Sequence, residues 1–332
     1  MNHQNSIDEE LKGRFNMTEE RNTERRYKPK KKLRKGRVFL TVLLLAGLTI
    51  GIYSFLQYRE GYNLANETKV KQDIDFEGDA WSKGERENIL VLGADSGAGG
   101  KERSRTDTMM IISWDKEKND VKVISFMRDI YADIPNYKSY KLNTAYYLDG
   151  VPLLQATLQN MFDIPIHHYA LIDFRSFESL VDILAPEGIT MDVEKDMSEK
   201  IGVSLTKGEQ QLNGQEILGY ARFRADGEGD FGRVARQQKV MEALKDEVIS
   251  IQNVSNIPKF IGAAEGYIQT DYSRKDKVIR VLDAIVSGKL EMDKLTVPVP
   301  GSYYDKNYSH AGDVLVIDED QNRKAIEDFL GE

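Results

Sequence analysis

"NILVLGAD", Asn88–Asp95, is a short apolar run that ends in glycine and aspartate, the pattern of a buried strand feeding a loop. "DTMMIISW" (Asp107–Trp114) and "VKVISFM" (Val121–Met127) read the same way, the second alternating at period two. Further on, "GVPLLQATLQNMF" predicts an amphipathic helix after Pro152, "HHYALIDF" a strand, and "FRSFESLVDILAPEG" a helix stopped by Pro186 and Gly188. "LNGQEILGYAR" reads as a helix with Asn213 as its cap. "FGRVARQQKVMEALKDEVIS" reads as a longer helix whose apolar stripe runs through Val234, Met241, Leu244 and Val248. The chain closes with a strand, "VLVID", and a helix, "QNRKAIEDFL". Strands alternating with helices favour α/β or α+β layers.

Upstream of this block, Val38–Leu56 is 19 residues without a charge. As a helix rising ~1.5 Å per residue it just spans a hydrocarbon layer of ~30 Å. The preceding "RRYKPKKKLRKGR" belongs on the cytoplasmic side by the positive-inside rule, which places the rest of the chain outside. A cleaved signal peptide is the rival reading. The 37-residue leader, the length of the apolar run and the lack of an A-x-A site favour an uncleaved anchor. The expected organisation is therefore a basic cytoplasmic tail at 1–37, an anchor helix at 38–56, a polar stalk at 57–87 and one extracytoplasmic domain at 88–332. The tail reads as disordered and in part as a contact for lipid headgroups.

The tail carries 12 Lys/Arg against 6 Asp/Glu, or +6, so the remainder holds −14 of a total of −8. An acidic exported part argues against nucleic acid as a partner. With no cysteine, disulfides and thiolate zinc sites are excluded.

Against that acidity, "YARFRADGEGDFGRVARQQ" (Tyr220–Gln238) gathers Arg222, Arg224, Arg233 and Arg236. Two guanidiniums ~6 Å apart repel by roughly 3 kcal/mol at an effective dielectric near 20, so the cluster requires water, carboxylates or a bound anion. Arg222 and Arg224 would point the same way in an extended chain, and Arg233 and Gln237 share a helix face near its N-terminus. That geometry suits phosphate. The plain alternative is a solvated helix paired to Asp226, Glu228 and Asp230.

A second constellation, "GADSGAGGKERSRTDT", puts Asp95 past a strand end, then a glycine-rich loop, then Arg105 and Asp107. Open α/β sheets place ligands at such strand ends. Two carboxylates there could hold Mg2+, which takes one or two protein carboxylates plus phosphate oxygens. Alternatively, Asp95 caps a turn and Asp107 pairs with Arg105. "SFMRDIY" adds Arg128 and Asp129 at another strand end, and "KLNTAY" adds Lys141 and Asn143.

Several common motifs fail. Gly100-Lys101 is followed by Glu102, and Asp95 stands where a P-loop begins with glycine. Ser96 has Ala94 where a nucleophile elbow needs glycine. His167 and His168 are adjacent on a strand, point to opposite faces and make poor joint metal ligands.

In order, "LGAD", "SRTDT", "SFMRD", "KLNTA", "GYARFR" and "DFGRVARQQ" resemble the LytR-CpsA-Psr family of membrane-anchored cell-wall enzymes, over roughly Asn88–Ile249. The resemblance implies a three-layer fold with a mixed central sheet flanked by helices. It also implies transfer of an anionic glycopolymer such as wall teichoic acid from a polyprenyl-pyrophosphate carrier to peptidoglycan, with Mg2+ assisting. Asp95 and Asp107 would then hold the metal. Arg105, Arg128, Arg222, Arg224, Arg233 and Gln237 would bind pyrophosphate oxygens, with Lys141 and Asn143 in the matching fourth motif. Among these, Arg105, Asp107, Arg128, Arg222 and Arg224 would carry the reaction. The runner-up is a regulator that binds the lipid without turnover; a purely structural envelope protein would instead pair its strand-end arginines internally. One departure is Met127, where many family members have proline; a proline would fix φ without adding a reacting group.

Overall fold

A computed structural model describes residues 35–68, 74–95, 106–118, 120–250, 253–273 and 292–331. The chain divides into two compact units at Gly51/Ile52. In the first, the described residues are helical and exposed. They open helix α1 (Lys35–Thr68), which is long and apolar enough to cross a membrane.

The second unit holds a six-stranded mixed sheet. Its strands are β1 (Glu87–Ala94), β2 (Thr106–Asp115), β3 (Asp120–Phe126), β6 (His168–Asp173), β9 (Gln269–Thr270) and β10 (Met292–Val297). Their order is β10-β3-β2-β1-β6-β9. β6 runs parallel to β1 and β10 parallel to β3, while β1–β2, β2–β3 and β6–β9 are antiparallel. Short hairpins β4–β5 (Tyr131–Ala132, Tyr140–Lys141), β7–β8 (Ile189–Val193, Gly208–Leu212) and β11–β12 (Tyr303–Tyr308, Gly312–Ile317) lie outside it.

Strand alternation sets the layers. Phe126 packs on Phe162 of α2 (Asn143–Phe162), with ring centroids 5.0 Å apart. Its neighbour Ser125, on the other face, accepts a hydrogen bond from Gln238 of α5 (Gly229–Ile249) at 3.0 Å. Helices therefore cover both faces, as the expected three-layer α/β architecture requires. Leu90, Leu92, Ile111 and Ile124 from the sheet share the main core with Leu154 and Leu158 of α2 and Ile326 of α7 (Glu319–Leu330). A second core forms where α3 (Phe174–Leu184), α4 (Gly214–Arg222) and α5 meet β7–β8, around Val181, Met191, Ile217 and Tyr220.

Local chemistry explains the boundaries. Asn213 accepts from Glu216 N at 3.0 Å while the Glu216 carboxylate accepts from Asn213 N, a capping box that starts α4. Asp173 caps α3 through Ser176 N at 3.0 Å. The helix expected to follow Pro152 starts earlier, at Asn143, and breaks at Asp149 and Gly150, whose φ is +71°.

Part of the segment read as a polar stalk is packed. Residues 57–68 continue α1, and within the second unit they pack on α6 (Ile257–Tyr267). A Cβ at Gly61 would overlap Lys259 O, one at Gly262 would overlap Tyr58 O, and one at Gly266 would overlap Ala65. Small residues four apart on both helices thus set a close approach, reinforced by Lys259–Glu60 at 2.7 Å and a hydrogen bond from Tyr58 to Glu265. Farther along, Phe76 packs on Tyr169, and Asp79 accepts from Ile166 N at 2.6 Å. A polar composition hid these contacts because spaced glycines and single aromatics carry little apolar signal.

Candidate functional site

The C-terminal ends of β1, β3, β6 and β10 and the start of β2 share one edge of the sheet. At that edge Gly93 pairs with Thr108 and Ala94 with Thr106, so Asp107 is the extra residue of a bulge. Bulges re-aim a side chain out of the regular pleat. Here it meets Arg128, which follows β3: Arg128 Nη1 lies 2.6 Å from Asp107 Oδ1.

Around this pair the fold assembles a compact charged cluster. Arg128 Nε is 3.6 Å from Asp129 and 3.7 Å from Asp230. Lys141 bonds Asp129 at 2.6 Å. From the first turns of α5, Arg233 pairs with Asp230 at 2.8 Å and approaches Asp107 at 3.8 Å. Three carboxylates face three cations. Asn143 is buried, with its amide 3.5 Å from Thr106 O beside the bulge. Gln237 is buried one turn beyond Arg233.

Electrostatics at the centre follow from burial. Desolvation raises the Asp230 carboxyl above its ordinary value and lowers the Arg233 guanidinium, although each partner counteracts the effect on the other. Arg128 is also pulled down by burial, but Asp107, Asp230 and Asp129 together outweigh that and hold it above its ordinary value. Among the described residues, Arg128 Nε and Arg233 Nε are buried without a hydrogen-bond partner, as are Arg236 Nε and Arg323 Nε elsewhere in the fold. Such a group costs about 1–3 kcal/mol.

Other expected members stand apart from this cluster. Asp95 is exposed at the end of β1, one residue beyond the Ala94–Thr106 pair and close in the strand order to Asp107. Arg222 closes α4 and lies over the Phe174 ring at 4.6 Å. Phe174 directly follows Asp173, which pairs with Ala94, so Arg222 flanks the same edge. Arg224 is exposed. Arg105 and the loop 96–105 lie outside the described residues.

The solvated-helix reading is half right. Asp230 does pair with Arg233, and Asp226 with Arg236 at 3.1 Å, but both arginines are buried rather than solvated. Arg236 is a scaffold residue: it also reaches Glu194 at 3.2 Å and donates to Phe223 O at 2.7 Å. Asp129 and Asp230 are the site members that sequence reasoning left unassigned. The spacing of Asp230 and Arg233, three apart in a first helical turn, was the available signal.

Arg236's carboxylate partners give a pH prediction. Burial pushes Asp226 up, yet hydrogen bonds and charge from Lys195 and Arg236 outweigh it and leave the net shift downward. Glu194 behaves alike, with burial overcome by its own backbone N–H, Tyr220 and Arg236. A depressed folded pKa stabilises the fold above the unfolded value and loses that stabilisation as pH falls through the folded one. Thermal stability should therefore drop as pH falls below the ordinary carboxylate range near 4. Asp226→Asn should flatten this acid limb; an unchanged limb would contradict the assignment.

Met127, at the proline position of the resemblance, is buried, and its N–H donates to Val297 O at 3.0 Å. Proline would forfeit that bond between β3 and β10. His167 is structural as read: buried, it accepts from Asn88 N at 2.9 Å, and desolvation lowers its pKa.

The model of the LytR_cpsA_psr family matches residues 53–326, a span that includes every residue of this edge. The chain belongs to the LytR-CpsA-Psr family. It is 44% identical to the regulatory protein MsrR of Staphylococcus aureus (strain COL) over 285 residues, 85% of each chain. It is 34% identical over 212 residues to the polyisoprenyl-teichoic acid–peptidoglycan teichoic acid transferase TagU of Enterococcus faecalis, covering 63% of this chain and 69% of that one. Among solved structures, TagV of B. subtilis superposes with a TM-score of 0.62 at 26% identity, over 75% of this chain and 99% of that one. The sheet and its flanking helices are thus those of LytR-CpsA-Psr proteins.

Proposed function

We propose that the chain is a membrane-anchored phosphotransferase that moves an anionic glycopolymer, of the teichoic acid class, from a polyprenyl-pyrophosphate carrier to peptidoglycan. The observation that carries this reading is the convergence of Arg128, Arg233 and Lys141 with Asp107, Asp129 and Asp230 at the end of the sheet where open α/β folds place ligands. Pyrophosphate oxygens would satisfy donors that Asp107, Asp129 and Asp230 leave open. TagU, whose name states this chemistry, supports the substrate class.

In the proposed reaction an acceptor hydroxyl forms a new P–O bond to the glycopolymer's phosphate. The pyrophosphate P–O bond breaks, polyprenyl phosphate departs and the hydroxyl proton is released. Such transfer depends mainly on positioning and charge neutralisation. Arg128 and Arg233 would hold the phosphates, Lys141 would fix Asp129, and Asn143 would fix the bulge that presents Asp107. Arg222, Arg224 and Arg105 would reach oxygens from the flanks, with Gln237 behind Arg233. Asp95 and Asp107 stand on adjacent strand ends, and Asp95 is exposed, so the pair fits the one or two carboxylates that Mg2+ takes. The metal would neutralise charge on the pyrophosphate. With α1 as a single-pass anchor and the basic tail inside, the folded unit would face the wall.

The test is transfer from a synthetic polyprenyl-pyrophosphate glycan to peptidoglycan fragments by the full chain, titrated with Mg2+. Product is expected from the wild type, with stimulation by Mg2+ that Asp107→Ala abolishes. The second reading, a lipid-binding regulator, draws on the cluster's charge balance: Arg128 and Arg233 already have carboxylate partners, and MsrR is named a regulatory protein. Tight binding of the carrier without product on any wall acceptor would favour it.

A further inference from the structure

The packing of α1 on α6 sets a height. Gly262 meets Tyr58 O, Gly61 meets Lys259 O and Ala263 N, and Gly266 meets Ala65 and Tyr62 O. Contacts advance together along both helices, so α6 runs parallel to this part of α1, and its first residue, Ile257, lies toward the apolar run. The last five residues of that run, Ile52–Leu56, belong to the same compact unit as α6. Partial burial of α1 begins at Ser54 and continues through Tyr58, Gly61 and Ala65. Folded protein thus covers the helix before the apolar sequence ends.

Ahead of α6 the chain makes one more turn along the same line. Asn256 N donates to Asn253 O at 2.8 Å, and Phe260 N to Asn256 O at 2.9 Å. Val254 stands eight residues before Gly262, about 12 Å at a helical rise of ~1.5 Å per residue, whereas Leu56 is about 3 Å before Tyr58. With Gly262 level with Tyr58, Val254 reaches about 9 Å past the end of the apolar run, within the depth of about 5–10 Å at which interfacial segments bury apolar groups. Val254 is 61% exposed, and the other large apolar side chains exposed outside α1 among the described residues, Tyr137, Tyr147 and Tyr304, all carry a hydroxyl. Single exposed apolar residues are ordinary on a protein surface; the height of this one singles it out.

Neighbouring side chains suit a headgroup zone. Tyr53 and Arg59 are exposed on α1 around the end of the run, the aromatic and cationic pattern of a membrane interface. The carboxylates nearby are matched: Glu60 pairs with Lys259 at 2.7 Å, Asp246 with Lys245 at 3.3 Å, and Glu247 accepts from Asn253 at 2.5 Å.

We propose that the turn Asn253–Asn256 and the start of α6 form a second membrane contact, with Val254 inserted at the headgroup–acyl boundary of the extracytoplasmic leaflet. The inference rests on reading α1 as the anchor. A lipid surface is the occupant because the unit that carries Val254 also carries the end of the apolar run. A lone helix leaves the folded unit free to tilt; a second contact beside it fixes tilt as well as height, and so holds the charged cluster in one relation to the bilayer.

The chain has no cysteine, so a fluorophore can be placed at one position at a time. Val254→Cys, Ser255→Cys and Leu48→Cys are labelled in the full chain and reconstituted into vesicles of phosphatidylcholine and phosphatidylglycerol, with and without lipids that carry a nitroxide high on the acyl chain. Val254 and Ser255 are exposed, so both substitutions leave the core intact. Nitroxide lipids are expected to quench the labels at 254 and 255 severalfold, as they quench the label at 48, and Val254→Asp is expected to relieve the quenching at 255. Quenching at 48 alone overturns the contact and keeps the anchor. Quenching at none of the three positions overturns the anchor reading and the contact with it. Quenching at 255 that Val254→Asp leaves unchanged overturns the insertion of Val254.

Discussion

Replacing Asp230 with alanine is expected to destabilise the folded unit by about 3–5 kcal/mol, the cost of leaving a buried charge without its partner. Arg233 is 3% exposed and has its shortest ion pair with Asp230, at 2.8 Å; its next carboxylate, Asp107, is 3.8 Å away and already engaged by Arg128. Removing Asp230 therefore strands Arg233 and also weakens the hold on Arg128. Chemical denaturation of the wild type and the variant measures the loss directly. The double variant Asp230→Leu/Arg233→Met should recover most of it, because a buried ion pair and an apolar pair of similar volume are often equivalent in stability. Recovery of stability without recovery of transfer would locate the pair's value in binding rather than folding. A loss below about 1 kcal/mol, the range of exposed ion pairs, would mean that Arg233 is hydrated in solution.

That pair illustrates what the sequence could and could not convey. Strands and helices were legible where "NILVLGAD" runs apolar into Gly and Asp, where "VKVISFM" alternates at period two, and where Asn213 marks a helix start as its cap. The placement of Asp107 at a strand start and of Arg128 at a strand end was legible for the same reason. The pairing was not. Asp230 sits 123 residues from Asp107, and it takes the β1–β2 bulge, the antiparallel β2–β3 pairing and the placement of α5 to bring Arg128, Arg233 and Asp107 together. Hairpin β7–β8 was missed because "ITMDV" and "GEQQL" are half polar, with every second residue turned to solvent. The burial of Arg236 likewise depends on Glu194, 42 residues away, which no local pattern announces.

Arg128→Ala is expected to reduce transfer by about 10³-fold, the upper range for removing one preorganised donor to a developing oxyanion. Arg128 follows β3 on a short connection whose backbone is fixed on both sides: Met127 N donates to Val297 O, and Asn143 N approaches Arg128 O at 3.4 Å. Its guanidinium is therefore held in place before substrate arrives, and little reorganisation accompanies the reaction. Arg128→Lys should recover only a small part of the activity, since an ammonium keeps the charge but not the planar fork that meets two phosphate oxygens at once. Stability should fall far less than for Asp230→Ala, because Asp107 and Asp129 are each about a quarter exposed and water can take the place of the lost partner. Single-turnover transfer and carrier binding, measured on the same preparations, separate the two roles of the residue. Binding that weakens modestly while transfer collapses assigns Arg128 to the transition state. If binding and transfer fall together, Arg128 only holds the ground state, and transition-state stabilisation must come from Arg222, Arg224 or the Mg2+ proposed for Asp95 and Asp107.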